Sequence, residues 1–152
     1  MYRLTNSFPY LLTRAGVRMG ELFSAELAEI GMTLPMYRVL AALWEKDGQK
    51  LSELAVMIGL ELSTLSRLIG EMQRRDLVLR RRKIGDDRSL LLSLTEAGRA
   101  QVGSLIPRAQ HYEALAVRGF SAEEIATMKA AFGRILGNLS AEASAGEQEA
   151  AE

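Results

Sequence analysis

Ser63, Thr64, Ser66 and Arg67 fall within five residues of one another, and a second cluster, Arg80, Arg81, Arg82 and Lys83, precedes Gly85-Asp86-Asp87 and Arg88. The chemistry open to such groups is recognition of a polyanionic duplex. Short hydroxyls exchange hydrogen bonds with base edges, a guanidinium can give guanine two parallel ones, and cations neutralise phosphates. Arg67 suits direct readout of a base; the alternative is that Ser63 or Thr64 caps a helix and Arg67 touches only phosphate. Arg74 and Arg75 suit phosphate contacts or ion pairs with Glu71 and Asp76. Cations in an extended run alternate in direction, so Arg81 and Lys83 share one side and only part of the cluster can face DNA. Ser52, at a helix start, could hold a phosphate with backbone N–H groups, and ordinary capping explains it equally well.

The elements that must carry these groups follow from apolar spacing. Ser7 with Pro9 opens a long helix in which Phe8, Leu11, Leu12, Ala15, Met19, Leu22, Phe23, Leu27 and Ile30 recur at helical intervals until Gly31. Thr33 with Pro35 starts a second, turning Val39, Leu40, Leu43 and Trp44 inward and ending near Asp47-Gly48, after which Gln49 to Leu51 could form a short strand. Ser52 caps a short third helix with Leu54, Ala55 and Ile58 apolar. From Leu62, a fourth places Leu62, Leu65, Ile69 and Met72 on one side and the hydroxyls and arginines on the others. Two short helices joined in this way form a helix-turn-helix.

Leu77 to Lys83 and Ser89 to Leu94 pair as a hairpin around Gly85-Asp86-Asp87. Thr95 caps a fifth helix, bent at Pro107 and ending near Val117. Ser121 and Glu124 make a capping box for a sixth, with Ile125, Met128, Phe132, Ile135 and Leu139 on one face. The expected fold is mostly α within the α+β class: a winged helix-turn-helix with a small β-hairpin wing, flanked by N- and C-terminal dimerisation helices. Residues 1–31 form the N-terminal dimerisation helix, 32–95 the DNA-binding lobe, 96–139 the C-terminal dimerisation helices and 140–152 a disordered tail. The stripes of both ends ask for a cover that a second copy can supply; folding back on the chain's own core is the alternative. A two-fold dimer would set two recognition helices about 34 Å apart, one duplex turn, on a pseudo-palindrome.

The chain has 152 residues, 48% of them hydrophobic, with 19 basic and 19 acidic side chains that cancel. Distribution therefore carries the electrostatic argument. Arg74 to Lys83 holds six cations against Asp76, whereas Glu142, Glu147, Glu149 and Glu152 face no cation after Leu139. The absence of cysteine excludes disulfides, thiolate metal sites, cysteine nucleophiles and thiol redox switching. No targeting segment or run of the ~18 to 20 apolar residues needed to span a bilayer is found, so a soluble cytoplasmic protein is expected. A single histidine and the lack of catalytic or phosphate-cradling motifs argue against an enzyme, and no cofactor or metal is expected.

Asp86-Asp87-Arg88 followed, after five residues, by Leu94-Thr95-Glu96-Ala97-Gly98 resembles the wing signature of the MarR family of bacterial transcription regulators. The resemblance extends from Phe8 to Leu139. It implies a homodimer that binds double-stranded DNA at a pseudo-palindromic operator, with Arg88 in the minor groove. Asp86 would hold that arginine and the turn by charge-assisted hydrogen bonds. It also implies a site for a small anionic or aromatic effector, to which Arg14, Tyr37 and His111 could contribute, and a repressor released by that effector. The alternative is a winged-helix protein-interaction or architectural DNA-binding module without effector control. A constitutive repressor or an activator is also compatible with these residues.

Overall fold

The computed structural model describes the backbone of residues 2–83 and 86–149 and the side chains of residues 2–82 and 90–142. After a 3-10 turn at Leu4–Asn6, the elements are α1 (Phe8–Glu29), α2 (Leu34–Glu45), α3 (Leu51–Ile58), α4 (Leu62–Arg74), β1 (Val78–Lys83), β2 (Asp86–Leu94), α5 (Glu96–Ala116) and α6 (Ala122–Glu149). The chain divides into two compact units, Met1–Glu113 and Ala114–Glu152. It is mostly helical with one two-stranded antiparallel sheet, as the pattern of periods predicts.

The core of the first unit gathers Phe23 and Leu27 from α1, Met36, Val39, Leu40 and Leu43 from α2, and Leu54 from α3. Leu65, Ile69 and Met72 from α4, Val78, Leu92 and Leu94 from the sheet, and Val102 and Leu105 from α5 complete it. Each such aliphatic side chain contributes roughly 1.5–3 kcal/mol on leaving water. Trp44, expected inside, is 47% exposed because it sits on the flank of the α2 stripe, outside the arc spanned by Met36, Leu40 and Leu43.

The caps divide between those set locally and those displaced by neighbours. Thr33 Oγ1 accepts from Met36 N at 3.3 Å, Thr95 Oγ1 accepts from Gly98 N at 2.9 Å, and Ser121 and Glu124 exchange both bonds of a capping box. Ser7 occupies the N-cap of α1, but its hydroxyl donates to Leu4 O at 2.8 Å. Ser52 does not cap α3: the N-cap is Lys50, two residues earlier, where Glu53 Oε2 accepts from Lys50 N at 3.2 Å, leaving Ser52 exposed in the first turn.

The hairpin pairs Val78 with Leu94, Arg80 with Leu92 and Arg82 with Leu90, then shifts register so that Lys83 faces Asp86. Asp86 and Asp87 thus belong to β2 rather than to the turn: the shift beyond Arg82 lets the second strand start sooner. Gln49 bridges to Leu92 through two backbone bonds of 3.2 and 2.8 Å, a single-residue version of the expected strand. Its buried amide donates to Ala42 O and Lys46 O.

Arg75, expected to meet phosphate or an acid, instead bonds to the chain's own backbone. Its guanidinium donates to Gly31 O at 2.7 Å and lies against the sulfurs of Met36 and Met32, tying the end of α4 to the α1–α2 turn. The carbonyl at a glycine in the left-handed region (φ 66°) is left free for this bond. Arg75→Met should cost about 1 kcal/mol in urea unfolding while leaving the salt dependence of DNA binding unchanged; a shallower salt slope would show a phosphate contact.

α5 runs through Pro107 without interruption, and α6 continues to Glu149. The latter overturns the expectation of disorder from residue 140, at least through Glu149. Ala141, Glu142, Ala143 and Ala145 are good helix formers, and propensity propagates an existing helix more readily than it starts one. Among the described residues of the second unit none is buried, and Phe132, Leu136 and Leu139 are exposed. Within the first unit, Phe8, Leu11, Leu12, Met19 and Leu22 leave the outer stripe of α1 largely uncovered. No helix among the described residues is long and apolar enough to cross a membrane.

Candidate nucleic-acid interface

α3 and α4 are joined by Gly59, Leu60 and Glu61, with Gly59 in the left-handed region (φ 68°) and Leu60 N bonded back to Ala55 O. Burial of Leu65, Ile69 and Met72 fixes which side of α4 meets the core, so the opposite side must face out. Ser63, Thr64 and Arg67 are exposed there and Ser66 is half-buried. The N-cap is Glu61, with no side-chain cap bond, so neither Ser63 nor Thr64 is used in capping. Among the described residues, no hydrogen bond or ion pair engages the side chain of Ser63, Thr64, Ser66, Arg67 or Arg74.

Thr64, Arg67 and Arg74 recur at three- and seven-residue intervals and so share one stripe of α4. They line an open groove of about 730 Å³ with Glu71 of the same helix, Leu60, and Thr33 and Pro35 from the start of α2. Thr33 and Pro35 carry only helix-start signals in the sequence, and nothing local marks them as neighbours of α4. Ser52 lies in a different, shallower groove beside the α3–α4 turn. Arg80, Arg81 and Arg82 are exposed on β1. The side chains of Lys83, Asp86 and Arg88 lie outside the described residues.

The base of the wing is held from several directions. Asp47 accepts from Leu94 N at 3.0 Å and from Arg99 Nη2 at 2.7 Å, joining the end of α2 to β2 and α5. Thr95 Oγ1 donates to Asp76 O at 2.5 Å, and Thr95 N donates to Leu77 O at 3.2 Å. Asp76 itself adopts a left-handed conformation (φ 55°), which ends α4 and starts β1. The Leu94-Thr95-Glu96-Ala97-Gly98 signature is therefore structural: a core leucine, a cap that also clasps the α4–β1 turn, and a glycine against Leu77 O.

A separate cavity of about 280 Å³ lies between α1, α2 and the part of α5 in the same unit. Gly16, Met19, Gly20, Phe23, Leu34, Arg38, Ala109, Tyr112 and Glu113 line it. Of the three residues expected at an effector site, none lines this cavity. Arg14 donates to Tyr10 Oη at 3.1 Å, Tyr37 packs edge-on against Phe23 in a neighbouring groove, and exposed His111 contacts the Tyr112 ring. Burial, reinforced by the Glu113 charge, pushes the Tyr37 hydroxyl above its ordinary pKa. A hydrogen bond to Glu26, with desolvation adding to it, does the same for Tyr112.

Residues 21–105 match the family model described as transcriptional regulator SarA/Rot. The organic hydroperoxide resistance transcriptional regulator of Bacillus subtilis is 30% identical over 96 residues, which span 63% of this chain and 65% of that protein. A MarR family transcriptional regulator from Silicibacter pomeroyi superimposes with a TM-score of 0.81 at 30% identity, covering 90% of this chain and 92% of the other. CouR from Rhodococcus jostii RHA1, solved with p-coumaroyl-CoA bound, shares the fold with a TM-score of 0.81 at 24% identity over 89% of this chain and 95% of its own. With the wing signature, the helix-turn-helix and a matched region of residues 21–105, the chain belongs to the MarR family of DNA-binding winged-helix transcriptional regulators.

Proposed function

We propose that this chain is a homodimeric repressor that reads a pseudo-palindromic operator through α4 and the wing and is released by a small effector. The observation that carries DNA reading is the outward stripe of Thr64, Arg67 and Arg74, whose polar groups have no partner among the described residues. Side chains held by no internal bond are available to base edges and phosphates. The uncovered apolar stripe of α1 and, separately, that of α6 support dimerisation through residues 1–31 and 96–139.

For the effector, the cavity along α1, α2 and α5 supplies aromatic walls in Phe23 and Tyr112 and a cation in Arg38. With Glu113 as the opposing charge, this lining suits a small aromatic ligand better than the scattered Arg14, Tyr37 and His111 do. CouR, solved with p-coumaroyl-CoA bound, is a protein of the same fold that takes a ligand with an aromatic group. Release by oxidation at a thiol is impossible in a chain without cysteine.

Selection of bound duplexes from a random pool tests the reading, with salt varied on the selected sequences to count phosphate contacts. A two-fold symmetric consensus is the expected result; binding without one would favour an architectural role. In the wing, Arg88→Ala should weaken binding about tenfold where the flanks are A·T-rich, since a narrow minor groove concentrates negative potential. Equal loss on G·C-rich flanks would remove the minor-groove contact.

A further inference from the structure

Leu62 and Val56 depart from the burial that helical spacing assigns to large aliphatic residues. Leu62 continues the series Leu65, Ile69 and Met72, yet it is 50% exposed while those three are sealed in the core. Val56, on α3, is 84% exposed. Both line the shallow groove at the α3–α4 turn, whose remaining wall is Ser52, Ala55, Gly59, Leu60 and Glu61. Leu62 is also the first residue of α4, directly before the exposed Ser63 and Thr64.

We infer that Leu62, backed by Val56, reads a thymine by apolar contact with its C5-methyl group in the major groove. The inference rests on the proposal that α4 enters that groove and names what its N-terminal end recognises there. A recognition helix presents its first residues to base edges, and the thymine methyl is the one apolar feature a base pair offers on that side. The neighbouring side chain, Glu61, is anionic and unsuited to phosphate, so this end of the helix is shaped for base edges rather than for the backbone. The groove's polar wall at Ser52 leaves a phosphate contact open beside it. Arg67, five residues further on and on a different side of α4, then reads a different base pair from Leu62.

The test uses the operator recovered by selection, with each thymine of a half-site replaced in turn by deoxyuridine, which deletes only the methyl group. The wild-type chain should lose about fourfold in affinity at one such position, the factor that one buried methyl group contributes. Leu62→Ala should bind the unmodified operator more weakly and show no further loss at that position, and Val56→Ala should reduce the methyl dependence partly. An unfolding curve checks that Leu62→Ala keeps its stability, as a half-exposed site should.

Tight, sequence-specific binding by the wild type that ignores every methyl deletion would overturn the inference and leave the operator-reading proposal standing. The same would follow if Leu62→Ala kept the full methyl dependence, or if its main effect were a change in oligomer mass. Absence of any sequence-specific binding would remove the operator-reading proposal and this inference with it.

Discussion

Replacing Gly98 by alanine should lower the stability of the fold by ~3 kcal/mol. A Cβ at that position would stand 2.0 Å from Leu77 O, closer than real contacts come, and 3.0 Å from Leu77 C. The carbonyl cannot retreat cheaply, because it accepts the Thr95 N–H while the Leu77 N–H donates to Met72 O and the Leu77 side chain is buried. Helix propensity works the other way and favours alanine by ~1 kcal/mol. Steric overlap with fixed backbone is the larger effect, so destabilisation wins, and a fall of about 10 °C in Tm is the expected reading for a chain of this size. Gly103 in the same helix is the internal control: a Cβ there meets nothing within 4 Å. Gly103→Ala should therefore stabilise the protein by roughly 0.5–1 kcal/mol. If both variants moved Tm upward, the close approach at Gly98 would be shown to yield without cost.

Arg67→Ala should cost ~1–3 kcal/mol of discrimination at one base pair per half-site, between about fivefold and 150-fold in relative affinity. The reason is geometric. The guanidinium is exposed, unpaired among the described residues and set one turn into α4 on the stripe shared with Thr64 and Arg74. A planar fork in that position can donate twice to guanine. Two measurements on the purified variant separate the readings: affinity for operators changed at each position, and the slope of affinity against salt. Loss confined to one base pair with an unchanged slope is expected. Uniform weakening on all sequences, with a slope reduced by ~0.9, would mean that Arg67 touches only phosphate.

The four-residue motifs were the most legible part of this chain. Thr33, Thr95 and the Ser121–Glu124 pair cap the helices they announce, because a cap joins a side chain to a backbone group three residues away and both are visible in one window. The inward sides of α2 and α4 follow from spacing for the same reason, as do the outward Ser63, Thr64 and Arg67. Ser7 and Ser52 carry the same signal without the same outcome. In one case the hydroxyl turned back to Leu4 O, and in the other Glu53 closed on Lys50 N, two residues before Ser52. Leu62 shows the limit of periodicity: it has the right spacing, but the core stops one turn short of it.

By itself, then, the sequence determined the order of elements, the winged helix-turn-helix and the face of α4 turned outward. These depend on periods and caps that act within a few residues. Tertiary structure alone decided that Arg75 clamps Gly31, that Asp47 anchors Arg99 and the wing, and that Gly98 must be small. It also decided which residues line the cavity beside α1, Arg38 and Tyr112 among them. The partners in the two arginine contacts are 44 and 52 positions apart, so no local window contains both members. Such contacts exist only once burial of the shared core has brought the distant segments together.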